Sequence, residues 1–368
     1  MFLKSVPIQA GCLLLLMSLV TGCVGEKSPE PVDLSESGGQ LETASDPIGE
    51  QTAIETVEAT EVAPQTEIVL DNELGQLLSE LGDGTTEERI AASTALSERV
   101  SEVIEQHADW MVAGSDSQRR GIMLIMTGKA QQYPEQSFGL VQHALQDSDP
   151  KVRSIGIQLI RQLIPGQAVQ LHASLLTMMK SSEETTENRV SVLRLINLVP
   201  GDALATEAAL GEIIQADGND DSITQAALQS YVKLAPVQPA ISTLIGVLEE
   251  SDSDDVKRTS AVLLGKYGTK SKAAVELLGE QLESDDEDLQ EAAAEALSRI
   301  GSPSIETLVE KLDSKNLLTR QMAIFTLGVI GPSAAEHVER LEKFITPDDP
   351  DTSLIAKEAI FSILKQQR

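Results

Sequence analysis

The strongest constraint on this chain is a spacing that returns. Counting from Leu289, the residues at +4, +7, +8 and +11 are Ala293, Ala296, Leu297 and Ile300, and +12 is Gly301. The same register starts at Val256 (Ser260, Leu263, Leu264, Tyr267, Gly268) and at Thr319 (Ala323, Thr326, Leu327, Ile330, Gly331), so the three starts lie 33 and 30 residues apart. An apolar stripe at 3.6-residue spacing is the buried face of an amphipathic helix. On this spacing Gln290, Glu291, Glu295 and Arg299 fall outside the stripe. Gly301 suits the left-handed position that ends a helix, Ser302 can cap the next one and Pro303 can occupy its first turn. Ile305, Leu308, Val309 and Leu312 then form a second stripe. Neither helix can bury its apolar face alone, so the pair requires neighbouring copies of itself.

Looser copies start at Val152, Ile223 and Ile355, and fainter ones near Glu88, Gln118 and Glu187. An apolar residue seven places before a start, at Leu81, Met111, Leu145, Leu282 and Leu312, marks the second helix of the preceding unit. The turns between units are rich in Asp, as in Asp147 to Arg153 and Asp252 to Lys257. With these turns the pattern resembles the HEAT-repeat family, in particular its short bilin-lyase-type HEAT-like repeats. The resemblance implies an all-α fold: an α-solenoid, or superhelix, of stacked antiparallel helix pairs over 71–368, with about nine repeats. An aromatic content of 2% suits thin helix-on-helix layers filled by Ala, Leu, Ile and Val. Leu74, Leu77, Leu78 and Leu81 predict a terminal helix over Asp71 to Asp83, and Ile355 to Leu364 a last one.

The N-terminal stretch is of a different kind. Residues 1–22 hold one early charge, Lys4, and an apolar core from Ala10 to Val20. About a dozen apolar residues fall short of the roughly 20 needed to span a bilayer, which predicts a cleaved export signal. Val20-Thr21-Gly22-Cys23 resembles the bacterial lipobox, and that resemblance implies a signal peptide over 1–22 and acylation of Cys23 as the mature N-terminus. It places the protein in the cell envelope, exported and lipid-anchored, on the outer membrane or its periplasmic face. Residues 23–70 are rich in Glu, Ser, Thr, Pro and Gly with Lys27 as their one basic residue; such a composition predicts an acidic disordered tether.

Charge narrows the partner. With 58 acidic against 28 basic residues the chain carries a formal charge of −30, which excludes nucleic acid as a general ligand, since phosphate neutralisation requires Lys and Arg. It favours a basic protein or peptide. The membrane is reached through the lipid alone. Arg89, Arg119, Arg153, Lys257 and Arg320 each stand one place after a repeat start, and they resemble the Asp–Arg ladder that links successive HEAT repeats. Asp217, Asn219 and Asp221 alternate like the start of a calcium loop, but Ser222 and Leu228 replace its Gly and Glu.

The four histidines are isolated, and none is followed by Glu. No Gly-rich phosphate loop, nucleophile elbow, His-Glu-x-x-His or Cys-x-x-Cys occurs. No catalytic residue, cofactor or metal is therefore expected. The helical spacing of Trp110 and Tyr133 favours core packing, and either becomes a candidate partner-binding residue if it faces the concave side, because aromatics dominate interface hot spots; Glu306, Glu310, Glu339 and Arg340 on the second helices of the C-terminal repeats are the other candidates. The expectation is a non-enzymatic, lipid-anchored scaffold or adaptor that binds another protein through its solenoid. The alternative implied by the family is a lyase- or chaperone-like protein handling a tetrapyrrole or another cofactor.

Overall fold

A computed structural model describes residues 72–365, all within one compact unit. The expected signal peptide over 1–22, Cys23 and the tether over 23–70 lie outside the described residues. The described chain is all-α. Its helices run α1 (Asn72–Asp83), α2 (Thr86–Glu98), α3 (Val100–Glu105), α4 (His107–Ala113), α5 (Asp116–Met126), α6 (Pro134–Ala144) and α7 (Pro150–Leu159). They continue as α8 (Pro165–Ala168), α9 (His172–Lys180), α10 (Thr186–Leu195), α11 (Ala203–Gln215), α12 (Asp221–Leu234) and α13 (Val237–Glu250). The C-terminal helices are α14 (Asp254–Lys266), α15 (Val275–Gln281), α16 (Glu287–Ile300), α17 (Ile305–Lys311), α18 (Leu317–Ile330), α19 (Val338–Glu342) and α20 (Pro350–Lys365).

Two layers are built from these. The first helices form one row in which α1, α5, α7, α10, α12, α14, α16, α18 and α20 each pack on the next. The second helices pack onto the first helix of the unit that follows, α13 on α14, α15 on α16 and α17 on α18. The repeat register explains the core between the layers, since Val256, Leu289 and Thr319 and the residues 4, 7 and 8 places after each are all buried. Gln290 departs from its outside assignment. It is buried, and its Nε2 donates to the Ser284 carbonyl at 2.5 Å, because the place after a repeat start turns inward to hold the preceding turn.

The Asp-rich turns do local work as caps. Asp149, Asp220, Ser253, Asp286 and Asn316 each accept a backbone N–H of the first turn of the helix that follows, Asp286 at 2.7 Å from Leu289. Such caps satisfy donors that a helix start leaves open. At the other edge Gly301 (φ 79°) and Gly331 (φ 76°) adopt a positive φ that L side chains rarely take. Ser302 does not cap α17. The chain passes through a 3₁₀ turn over Ser302–Ser304 and enters α17 at Ile305, so Ser302 and Pro303 belong to that turn.

Two boundaries differ from the sequence reading. No repeat begins at Glu88. Thr85 and Glu88 form a capping box that starts α2, but α1 packs directly on α5 and so takes the place in the first-helix row. The helices α2 to α4 fill the second layer there, and Trp110 on α4 lies against Gly75 of α1. The last helix starts at Pro350 rather than Ile355, since Asp349 caps it through the Thr352 N–H at 3.0 Å and proline is tolerated in a first turn.

Candidate protein-binding surface

Charged side chains sort into those that hold repeats together and those left facing outward. Arg119, on α5, donates to both carboxylate oxygens of Asp147 and to the Gly114 carbonyl. Arg153, on α7, does the same with Glu184 and the Asp147 carbonyl. Arg189, on α10, reaches the Met179 carbonyl and Asn219 Oδ1, both at 3.0 Å. Arg320, on α18, donates to the Ser314 carbonyl at 2.8 Å and acts on Asp349 through its charge. Each therefore holds a carbonyl at or just before the turn that precedes its helix and faces a polar side chain of the turn that opens the next repeat.

Burial would raise the Glu184 carboxyl, but hydrogen bonds from Arg153, Asn188 and Thr185 outweigh it and hold the group below the usual range. Lys257 is half-buried, and at that repeat Arg258 carries the link, with Nη1 2.9 Å from Asp288. Arg89 is exposed on α2, away from the first-helix row, for the reason given above. Asn219, part of the supposed calcium loop, is bonded to Arg189 and to the Ile213 carbonyl, and Asp220 caps α12.

Trp110 does not face outward. At 1% exposure it lies in the core against Gly75, where an added Cβ would stand 2.7 Å from its ring, so it is no binding anchor. Its position on α4 was hidden because α2 to α4 break the repeat phase. Tyr133 is half-buried at the start of α6.

The outward carboxylates gather on the second helices of the C-terminal repeats. Glu276 on α15, Glu306 on α17 and Glu339 on α19 each occupy the second residue of their helix, and all are exposed. In that first turn they also oppose the helix dipole favourably. Glu280 and Glu310 lie one turn further along α15 and α17, likewise exposed. Within α15, α17 and α19 the bases are Lys311 and Arg340, and both are engaged: Lys311 lies 3.2 Å from Glu283, and Arg340 pairs with Asp313. His337 Nε2 sits 3.6 Å from Glu306 and from Glu336, a group whose donor set could hold a divalent ion. Glu276 and Glu280 were missed in the sequence although Glu276 stands 30 residues before Glu306; the signal is one of phase, visible only once second helices are aligned.

Residues 241–316 match the HEAT-repeat family, described as HEAT repeats. No curated protein matches the chain in sequence. Among solved structures it is similar to Kap95 in the Kap95:Nup1 complex, at 14% identity and a TM-score of 0.53 over 79% of this chain and 46% of that one. It is similar also to Kap95p in a structure with RanGDP, at 13% identity and a TM-score of 0.50 over 79% of this chain and 45% of that one. The chain thus spans less than half the length of these relatives, and the likeness is one of fold. The segment 241–316 carries HEAT repeats, and the described chain as a whole has the fold of a HEAT-like α-solenoid.

Proposed function

We propose that this chain is a non-enzymatic scaffold that binds a basic segment of a partner protein along α15, α17 and α19, and that acyl chains on Cys23 hold it at an envelope membrane. The observation that carries the binding reading is the row of exposed glutamates at equivalent places on successive second helices. A row of fixed, like charges at repeat spacing matches an extended Lys- or Arg-rich segment, because each positive side chain meets a carboxylate without the scaffold having to rearrange. The two bases on these helices, Lys311 and Arg340, are each paired with an acid, so they take little from that potential. Kap95, whose fold this chain shares, is seen with Nup1 and with RanGDP in the matched structures, which supports protein binding as a use of such a surface.

The test is titration of the full-length protein with a fluorescent Lys/Arg-rich peptide and with a scrambled acidic one. The basic peptide is expected to bind, more weakly as salt rises, and E276K/E306K/E310K is expected to abolish binding while helix content stays unchanged. Equal binding by the triple variant would overturn the surface. The anchor has a separate readout: Cys23→Ala is expected to move the protein from the membrane to the soluble fraction, and continued retention would count against lipidation.

A further inference from the structure

The three first helices before α20 carry a small residue in their twelfth place: Gly265 in α14, Ser298 in α16 and Gly328 in α18. A Cβ on Gly265 would stand 2.9 Å from the Cα of Ala296, and one on Gly328 2.7 Å from the Cα of Ala359. These crossings close because a side chain is missing. In α20 the twelfth residue is Phe361, and it is 64% exposed. Its ring stands at the place that Gly265 and Gly328 leave open to the next first helix.

Phe361 does not stand alone. Leu354, two turns earlier on the same stripe, is 57% exposed, and Leu364 and Ile345 are exposed beside it. Next to this ridge lies a cavity of about 430 Å³ floored by Ile345, Ile360 and Leu364, with the stem of Lys357 on its wall. Lys365 Nζ lies 5.5 Å from the Phe361 ring centre. The outer face of α20 is thus an aromatic projection beside an apolar groove.

We propose that the outer face of α20 is a two-fold interface with a second copy of this chain, each Phe361 entering the groove of the other copy. A two-fold contact needs projection and recess on one and the same patch, because residue i of one copy meets j of the other and j meets i. Both are present here within one helix. Charge points to the same occupant. Two chains of −30 repel over most of their surfaces, but on this face the exposed Asp351, Lys357, Glu358 and Lys365 of α20 cancel and Glu342 beside the groove leaves a net of only −1, so the face can meet its own image. One helix of about 24 Å per copy offers less than a standard interface, so the dimer forms reversibly and depends on concentration.

The experiment is sedimentation velocity on the full-length protein over a concentration series, beside Phe361→Glu and Leu354→Glu, with Leu204→Glu, at an exposed place on α11, as control. Circular dichroism confirms that each variant is folded. The wild type and the control are expected to shift from monomer to dimer, and the two α20 variants to stay monomeric throughout. A wild type that remains monomeric across the series overturns the proposal and leaves the face to a different partner. A dimer that survives Phe361→Glu overturns it as well, since association would then use another surface.

Discussion

Arg119 Nε donates to Asp147 Oδ2 at 2.7 Å and Nη2 to Oδ1 at 3.0 Å, joining α5 to the turn that opens the next repeat. Asp147 is 6% exposed and Arg119 12%, so the pair is largely shielded from water. Arg153 and Glu184 repeat the arrangement one unit later at 15% and 6% exposure. In both cases the arginine also holds the carbonyl of the preceding turn, so one side chain sets the spacing of two successive repeats.

Removing one partner of such a pair leaves the other buried and uncompensated. Arg119→Ala is expected to destabilise the solenoid by about 3 kcal/mol, read as a lower urea midpoint. Arg119→Lys is expected to recover only part of it, because a single ammonium cannot reproduce the two-pronged contact. A variant as stable as wild type would show that the turn is held by its caps alone.

Trp110 is the chain's one tryptophan and reports on the N-terminal layer where α1 meets α5. Its fluorescence is expected to be blue-shifted in the native state and to move red when that layer opens. Trp110→Ala is expected to cost about 3–5 kcal/mol. Gly75→Ala, which drives a methyl toward the ring, is expected to destabilise in the same sense and by less.

Gly328→Val tests the crossing of α18 and α20. A side chain there meets the Cα of Ala359, and its relief requires the helices to part. A loss of about 1–3 kcal/mol is expected, seen as a lower midpoint by circular dichroism, whereas Ser298→Gly in α16 is expected to change little beyond its helix propensity.

Glu184 and Glu291 act in opposite directions with pH. The Glu184 pKa is depressed in the fold, so its contribution is present above the ordinary glutamate pKa and is lost as pH falls through the folded value. Glu291 is raised by burial, then by Asp288 and Glu295. Its contribution is present at acid pH and is lost as pH rises through the folded value. Glu291→Gln is therefore expected to stabilise at neutral pH and to lose that advantage in acid, and Glu184→Gln to destabilise at neutral pH and become nearly neutral in acid. Urea midpoints measured across the two ranges check both signs.

Phase was the readable quantity in this chain. Leu289, Ala293, Ala296, Leu297 and Ile300 share one face by spacing alone, and their burial follows because helical geometry is local and periodic. The Asp-rich turns were readable for the same reason, as caps act within three residues of themselves. Glu306, Glu310 and Glu339 were placed on second helices by that phase, and they lie there exposed.

Contacts between repeats were not readable, since they depend on which elements become neighbours. Arg153 could be given a rung by its position, but Glu184, 31 residues on, becomes its partner only when α7 and α10 pack. Arg89 occupies the same place after a helix start and yet faces solvent, because α1 took the row position that the register assigned to α2. Trp110 suited either the core or an exposed face by its spacing, and packing beneath α1 buried it. Phe361 shows the same division: its place on a helical stripe is a matter of sequence, whereas its exposure arises because the stripe that Gly265 and Gly328 use to receive the next helix is left uncovered on α20. Local periodicity determined what each helix is, and the order in which the helices stack decided which of their side chains remain to meet a partner.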